Sequence, residues 1–212
     1  MTDTFSMHTH TCGELRADNI GETVTLTGWV WHRRDHGGLI FIDLRDRDGV
    51  TQISFDPEHS GGTAFHAAED VRSEWPIKVT GVVRERPEGQ DNEKMATGHV
   101  EVLVNELEVL NTSKTPAFQI EDGIDTSEDV RLRYRYLDIR RPKMMANIKM
   151  RSDFTFAVRE AFHNAQFTEV ETPALFKSTP EGARDFLVPS RMQPGHFYAL
   201  PQSPQLLKQL LM

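Results

Sequence analysis

The sequence predicts a small all-β barrel followed by a segment of mixed α and β structure. Residues 22–110 contain five runs in which apolar and polar residues alternate, as they do in half-buried strands. A helix-like run lies between the third and the fourth of these runs. Residues 136–212 carry instead one long helical pattern and several short apolar runs. The two patterns indicate two different domains.

The barrel elements follow one another with clear turn signals. Asp48-Gly49 is a strong hairpin signal, and residues 35–38 form another turn. We expect strands over 22–32, 38–46 and 50–55, a helix over 62–75, and strands over 77–86 and 99–110. This is the order of elements in an OB-fold, a partly open barrel that often binds oligonucleotides. The predicted barrel domain is 1–110.

The C-terminal part begins after a polar stretch. Residues 111–135 are polar and acidic and predict a linker or hinge. The spacing of apolar residues predicts a helix over 143–167, and Pro142 suits its first turn. A short strand over 167–173 follows and ends at a proline. Residues 136–212 form the predicted second domain, of α+β class.

Composition narrows the class of protein. The chain has 212 residues, a net charge of −8 and one cysteine, which excludes an internal disulfide and a cysteine-based zinc site. Its first twelve residues lack the charged and apolar regions of a signal peptide, and no apolar run approaches the ~18 residues of a membrane span, so we expect a cytoplasmic protein without a membrane partner. His8, His10 and Cys12 share one face if that stretch is extended and could bind a soft metal. A loose terminus is the commoner case, so we expect no metal.

Basic side chains cluster in two places although the whole chain is acidic. Phosphate contacts require basic side chains on one face only, so local distribution matters more than the net charge. The first cluster is Arg33, Arg34, Arg45 and Arg47. The second is the run of six basic residues from Arg131 to Lys143. Both are candidate nucleic-acid contacts.

Phe41 is a candidate for base stacking. If Ile40 and Ile42 point into the barrel, Phe41 points outward beside Arg34 and Gln52, and an exposed ring can stack on a base. If Phe41 is a core residue, the two isoleucines face solvent or a neighbouring domain. The residues alone leave both arrangements open.

Three blocks of sequence resemble one family. They are WVWHRRDHGGLIFIDLRDRDGVTQISF at 29–55, TPEGARDFLVPS at 179–190 and ALPQSPQLLKQLLM at 199–212. Together they resemble class II aminoacyl-tRNA synthetases, most closely the bacterial-type aspartyl-tRNA synthetases. The resemblance implies an OB-fold anticodon-binding domain followed by the start of a class II catalytic domain, an antiparallel sheet with helices.

The resemblance implies roles for four barrel residues. Phe41 matches a residue that stacks on the central anticodon uracil, and Gln52 one that reads this base. Arg34 matches an arginine near the last anticodon base. His36, followed by glycine, resembles forms that accept both tRNA(Asp) and tRNA(Asn), since an imidazole can donate or accept a hydrogen bond. His32 departs from relatives that carry arginine there, so we expect no anticodon contact from it.

The resemblance also implies residues that bind L-aspartate. Glu181 lies in a loop that closes over the substrate, and a carboxylate suits the ammonium of an amino acid. Ser203, Gln205 and Lys208 match residues of aspartate recognition, with the lysine facing the substrate's side-chain carboxylate. Pro173 matches the end of a motif that packs across the two-fold axis of a homodimer.

The resemblance implies an aspartate–tRNA ligase, an enzyme that uses ATP and Mg²⁺ to activate L-aspartate and transfers it to tRNA(Asp), and to tRNA(Asn) as well where specificity is relaxed. The match runs from about Thr11 to Met212, and the family's second and third catalytic motifs are not in it. We therefore expect a truncated N-terminal portion that is inactive alone and does not fully bind ATP and Mg²⁺. The alternatives are a stand-alone tRNA- or RNA-binding OB-fold module and a fragment of an asparaginyl- or lysyl-type synthetase.

Overall fold

A computed structural model describes residues 7–179 and 184–212. Its N-terminal part is a closed five-stranded barrel with the strand order β1-β2-β3-β5-β4. The elements are β1 (Thr23–His36), β2 (Leu39–Arg45), β3 (Val50–Phe55), α1 (Gly62–Asp70), β4 (Pro76–Glu85) and β5 (Val100–Val109). All neighbouring pairs are antiparallel except β3 and β5, whose parallel pairing closes the barrel. The predicted order of strands and helix is confirmed.

The first hairpin is longer than the sequence pattern indicates. Strand β1 continues to His36, which pairs with Leu39 across a two-residue turn. Gly37 and Gly38 both have positive φ, 63° and 92°, and these angles are those of the tight hairpin turn that matches strand twist. The turn therefore keeps the end of β1 paired, and His36 belongs to the sheet edge rather than to a loop.

The barrel core consists of alternate residues of each strand. Ile40, Ile42 and Leu44 of β2 and Ile53 and Phe55 of β3 are fully buried. Because successive side chains of a strand point to opposite faces, the residues between them lie on the outer face of the barrel. The arrangement in which Phe41 fills the core is therefore wrong.

Helix α1 ends earlier than predicted, at Asp70 instead of residue 75. Val71 leaves the helix with extended geometry and enters the core. Glu74 then adopts a positive φ of 66° and turns the chain into β4. Its buried carboxylate accepts two hydrogen bonds from Arg45 Nη2, at 2.6 and 2.8 Å. A tertiary ion pair thus overrides the helical spacing of the sequence.

The segment predicted as a linker contains ordered structure. Helices α2 (Glu128–Arg133) and α3 (Arg135–Asp138) follow the barrel, and α4 (Pro142–Asn164) comes next. A small second core forms around Phe118, Ile120 and Leu137. The predicted domain limits at 110 and 135 stay predictions; the chain separates into two compact units at residues 149 and 150.

The second unit contains the remainder of α4, the paired strands β6 (Phe186–Pro189) and β7 (Phe197–Leu200), and helix α5 (Gln205–Leu210). The predicted strand over 167–173 is wrong, because that stretch has no strand partner in the described parts of the chain. An extended segment is assigned as a strand only when a neighbour pairs with its backbone. The apolar residues of α4 are not buried, and Leu210 of α5 is 82% exposed.

Candidate nucleic-acid interface

The outer face of the barrel brings several predicted residues together. Strand register places Arg34 opposite Phe41, and Phe41 opposite Ser54. The same register places Asp43 opposite Gln52. Directly opposed residues of antiparallel strands project from the same face of a sheet. Residues far apart in the sequence thus form one continuous surface across β1, β2 and β3.

The four residues matched to anticodon recognition line a single cleft of about 180 Å³. Arg34, His36, Phe41 and Gln52 form its sheet side, and Gln90 adds a side chain from the loop between β4 and β5. The rings of His36 and Phe41 lie 6.2 Å apart with an interplanar angle of 54°. Phe41 is half-buried, so part of its side chain is accessible from the cleft. An accessible ring beside polar groups is the arrangement that stacks single-stranded bases.

The amide of Gln52 is oriented by its two neighbours. Its Oε1 accepts a hydrogen bond from Arg34 Nη2 at 3.3 Å. Its Nε2 donates to Glu101 Oε2 at 2.7 Å. Arginine can only donate and a carboxylate can only accept, so the opposite orientation of the amide would lose both bonds. Gln52 therefore presents its oxygen on the Arg34 side of the cleft.

Glu101 accepts the hydrogen bond that orients the Gln52 amide. The sequence analysis did not identify this residue. The side chain is fully buried on the outer side of β5, while Val100 and Val102 enter the core. Its other oxygen, Oε1, accepts from Ser54 Oγ at 3.2 Å and from Arg84 Nε at 2.8 Å. The alternation of β5 indicates an outward Glu101. It does not indicate that three neighbouring side chains, Gln52, Ser54 and Arg84, contact the carboxylate.

Asp43 is the second buried carboxylate under the cleft. Its Oδ1 accepts a hydrogen bond from Arg34 Nη2 at 2.7 Å. The side chain of Arg34 is half-exposed, whereas that of Asp43 is largely buried. Asp43 and Gln52 therefore share the same guanidinium nitrogen and hold it at the cleft.

The rest of the first arginine cluster lies elsewhere. Arg45 is buried in its ion pair with Glu74, and burial lowers its pKa while the neighbouring carboxylate opposes that shift. Arg33 donates to the carbonyl of Ala68 at 3.0 Å. Arg47 is exposed and pairs with Asp48 at 3.0 Å. Among these four arginines, Arg34 alone lines the described cleft.

The second basic run is largely neutralised within the fold. Asp138 is fully buried and is contacted by Arg131, Arg135 and Arg141. Arg141 also contacts Asp122 at 3.2 Å. Charges already paired with carboxylates contribute less to phosphate binding. These three arginines are therefore weaker candidates for nucleic-acid contacts than the sequence indicates.

Arg140 of the same run packs on the barrel. Its guanidinium lies 4.4 Å from the centroid of the Trp29 ring, and its Nη1 lies 3.6 Å from Glu74. This cation–π contact stabilises the joint between the barrel and α3. The sequence pattern of basic residues does not distinguish such a structural arginine from one that binds phosphate.

The residues matched to aspartate binding lie in the second unit. Gln205 and Lys208 are on α5, three residues apart, and Ser203 Oγ accepts a hydrogen bond from the Gln205 N–H at 3.2 Å. Lys208 is exposed, and Pro173 lies in an exposed irregular stretch. Glu181 lies outside the described residues. Two of the predicted side chains thus lie on one short helix, and Ser203 lies just before it.

The proposed soft-metal face at the N-terminus does not form. Cys12 is fully buried in the barrel core, while His8 is exposed. Burial raises the pKa of the Cys12 thiol, and the carboxylate of Asp46 adds to the shift. A thiol held protonated is a poor metal ligand. Cys12 is a core residue of the barrel.

Comparison with known proteins gives the family. Residues 24–110 match the OB-fold nucleic acid binding domain of anticodon type, and residues 127–212 match the class II tRNA synthetases (D, K and N). The chain belongs to these class II aminoacyl-tRNA synthetases. The predicted fold class and the resemblance to aspartyl-tRNA synthetases are confirmed.

Its relatives narrow the family further. The chain is 60% identical over 204 residues to the aspartate–tRNA(Asp/Asn) ligase of Oleidesulfovibrio alaskensis, which covers 96% of this chain and 34% of that relative. It is 58% identical over 203 residues to the enzyme of the same name from Moorella thermoacetica, with the same two coverages. The chain thus spans about a third of the length of these curated relatives.

A solved structure shows the same fold. The asparaginyl-tRNA synthetase from Pyrococcus horikoshii, complexed with asparaginyl-adenylate, matches with a TM-score of 0.80 and 29% sequence identity. The match covers 95% of this chain and 44% of that one. Separately, none of the helices in the described parts of the chain is long and apolar enough to cross a membrane.

Proposed function

We propose that this chain supplies the anticodon-binding barrel and the opening of the catalytic domain of an aspartate–tRNA ligase. The observation that carries the proposal is the cleft, where Arg34, His36, Phe41 and Gln52 meet although they come from three strands. The relatives at 60% and 58% identity support the aspartate assignment. The reaction is ATP-dependent activation of L-aspartate and its transfer to tRNA(Asp) in the cytoplasm.

In this proposal the cleft reads the central uracil of the anticodon. The base stacks on Phe41, and the oxygen of Gln52 accepts the N3–H of uracil. Cytosine lacks that donor and is disfavoured, because the oxygen would face its unprotonated N3. Without RNA, Arg34 is held by Asp43 at 2.7 Å, and its guanidinium supplies a positive charge for the neighbouring base or phosphate.

Use of tRNA(Asn) in addition to tRNA(Asp) rests on His36. The imidazole lies at the end of β1 and lines the cleft, 6.2 Å from the ring of Phe41. A histidine nitrogen can donate or accept, so the same side chain suits a last base of either C or U. The two named relatives are both ligases of the Asp/Asn type, which supports this part of the proposal.

The proposed contacts of L-aspartate are Gln205 and Lys208 on α5, Ser203 just before it, and Glu181. Lys208 is exposed, so its ammonium can pair with the substrate's side-chain carboxylate. Pro173 is proposed to lie at a homodimer interface. Each of these five assignments follows the family resemblance.

Class II synthetases generally use ATP and Mg²⁺. Over residues 7–179 and 184–212, no three His, Cys, Asp or Glu side chains are grouped so as to hold a metal ion. The described side chains therefore offer no cluster that would hold the ion without the phosphates of a substrate, and no step through the metal is assigned to them. Their proposed contribution is to bind and position the amino acid and the tRNA.

The test is binding of the chain to anticodon stem-loops ending in GUC and GUU, measured by fluorescence anisotropy at fixed salt. Loss of stacking in Phe41→Ala weakens binding by about 1–3 kcal/mol, or roughly 5- to 150-fold. Phe41→Tyr keeps the ring and is the matched control, with affinity close to that of the unsubstituted chain. Equal affinity for the two loops supports dual tRNA use. No binding to either loop by folded protein would refute the proposal.

A further inference from the structure

His32 lies between the anticodon cleft and the segment that follows the barrel. It is opposite Asp43 in the β1–β2 register, so both project from the outer face. Its Nδ1 is 3.5 Å from Asp43 Oδ2, and its Nε2 is 3.2 Å from Glu121 Oε1. One imidazole thus contacts two carboxylates that belong to different parts of the chain.

The two carboxylates connect His32 to different parts of the chain. The second oxygen of Asp43 holds Arg34 at 2.7 Å, and Arg34 also contacts Gln52 in the cleft. Glu121 belongs to the 118–124 segment, defined here as the stretch that carries Phe118 and Ile120 of the small second core. The contacts Gln52–Arg34–Asp43–His32–Glu121 therefore form one continuous polar chain from the cleft to the 118–124 segment.

The 118–124 segment in turn contacts the start of α4. Asp122 accepts a hydrogen bond from the Lys143 N–H at 3.0 Å, within the first turn of α4, and contacts Arg141 at 3.2 Å. A carboxylate at that place stabilises a helix N-terminus. Asp122, which caps α4, is the next residue after Glu121. A displacement of Glu121 therefore also displaces this cap.

We propose that His32 is a positioning residue that couples occupancy of the cleft to the 118–124 segment; this rests on the function proposed above. An RNA ligand draws Arg34 away from Asp43, whose largely buried carboxylate then requires another donor. His32 is within reach and moves toward Asp43, which weakens its contact with Glu121. Binding in the cleft thus loosens the 118–124 segment.

Coupling between two sites is reciprocal, so Glu121 must also influence the cleft. As long as Glu121 holds His32, Asp43 relies on Arg34, and the guanidinium is less available to RNA. Removing the charge of Glu121 releases His32 to Asp43 and frees Arg34. Removing His32 leaves Arg34 as the remaining side chain of this pair that contacts Asp43. The guanidinium of Arg34 then stays with Asp43 and is less available to RNA.

The test is a double-mutant cycle on binding of the GUC stem-loop to His32→Gln, Glu121→Gln and the double variant. Glu121→Gln is expected to tighten binding and His32→Gln to weaken it, each by about two- to thirty-fold. The tightening by Glu121→Gln must vanish in the His32→Gln background. Asp125→Asn removes the same charge from an exposed neighbour and is the matched control, with the same small effect in both backgrounds.

Hydrogen exchange supplies a readout that a purely structural role of His32 would not move. Adding the stem-loop is expected to accelerate amide exchange over residues 118–124 in the unsubstituted chain and to leave it unchanged in His32→Gln. Additive effects in the cycle, or slower exchange on binding, overturn the coupling. If Phe41→Ala still weakens binding in that case, the proposed function stands and only the coupling fails. Absence of any binding by the folded chain overturns both.

Discussion

Glu101→Gln tests whether a buried carboxylate sets the base preference of the cleft. The substitution keeps the shape of the side chain and replaces one acceptor oxygen by an amide donor. Glu101 Oε1 faces Arg84 and Ser54, both of which donate to it, so the remaining oxygen of the variant stays there. The new NH₂ group then faces Gln52 Nε2, which donates a 2.7 Å hydrogen bond to Glu101 in the unsubstituted chain. Two donors in contact repel, so we expect the Gln52 amide to rotate by half a turn and to give up its longer hydrogen bond from the half-exposed Arg34, at 3.3 Å.

The substitution should have two measurable effects, one on the free energy of unfolding and one on the base preference of the cleft. A hydrogen bond to a charged group is worth about 1.5–3 kcal/mol, and the variant loses one and weakens the two others. Arg84 is partly exposed and recovers water, so we expect a loss of about 2–4 kcal/mol in the free energy of unfolding. Gln52 would then present NH₂ on the cleft side, and the preference for a central uracil over cytosine should fall by about 1–3 kcal/mol.

The assays are urea unfolding and anisotropy with stem-loops that carry U or C at the central anticodon position. Ser54→Ala is the matched control. It removes another hydrogen bond to Glu101 but leaves the Gln52 contact in place. Its uracil preference should equal that of the unsubstituted chain. A folded Glu101→Gln protein with an unchanged uracil preference would show that Glu101 does not orient the reading amide.

Three further predictions concern stability and reactivity. Glu74→Gln should cost about 3–5 kcal/mol in urea unfolding, because the buried Arg45 stays charged without its carboxylate; a loss below 1 kcal/mol would contradict this. Cys12 should resist Ellman's reagent in the native state, because burial raises the pKa of its thiol, and rapid native labelling would contradict its placement. The bond from Lys149 lowers the pKa of Asp48, so its stabilisation is complete above about pH 4 and is lost as the pH falls through the folded-state pKa. Asp48→Asn should therefore unfold with a shallower dependence on pH in acid, and an unchanged acid limb would count against the ion pair.

The barrel could be predicted because its signals are local. Strand alternation and the turn Gly37-Gly38 each depend on residues a few positions apart, and they predict the order of strands correctly. Four predicted contacts reached one cleft for the same reason: they lie at known positions on three successive strands. Gln90 could not be predicted, because a loop residue reaches the cleft only through the path of its loop.

The second unit was harder to predict. The stretch 167–173 reads as a strand, but pairing depends on a partner that the pattern does not contain. The short strands β6 and β7 were missed, since four residues each are too few to establish an alternation. Helical spacing correctly predicted α4, although it could not indicate that the apolar residues are exposed.

The sequence by itself determined the class of the barrel and the family of the chain. It also determined that Phe41 faces outward if Ile40 and Ile42 face inward. Only the tertiary structure decided which charges are free. Arg34 stands at the cleft while Arg45 is buried against Glu74, although both belong to one basic cluster in the sequence. It likewise placed Glu101 under Gln52. Composition records a side chain's charge, but the strength of an interaction depends on burial and distance, which exist only once distant strands have paired.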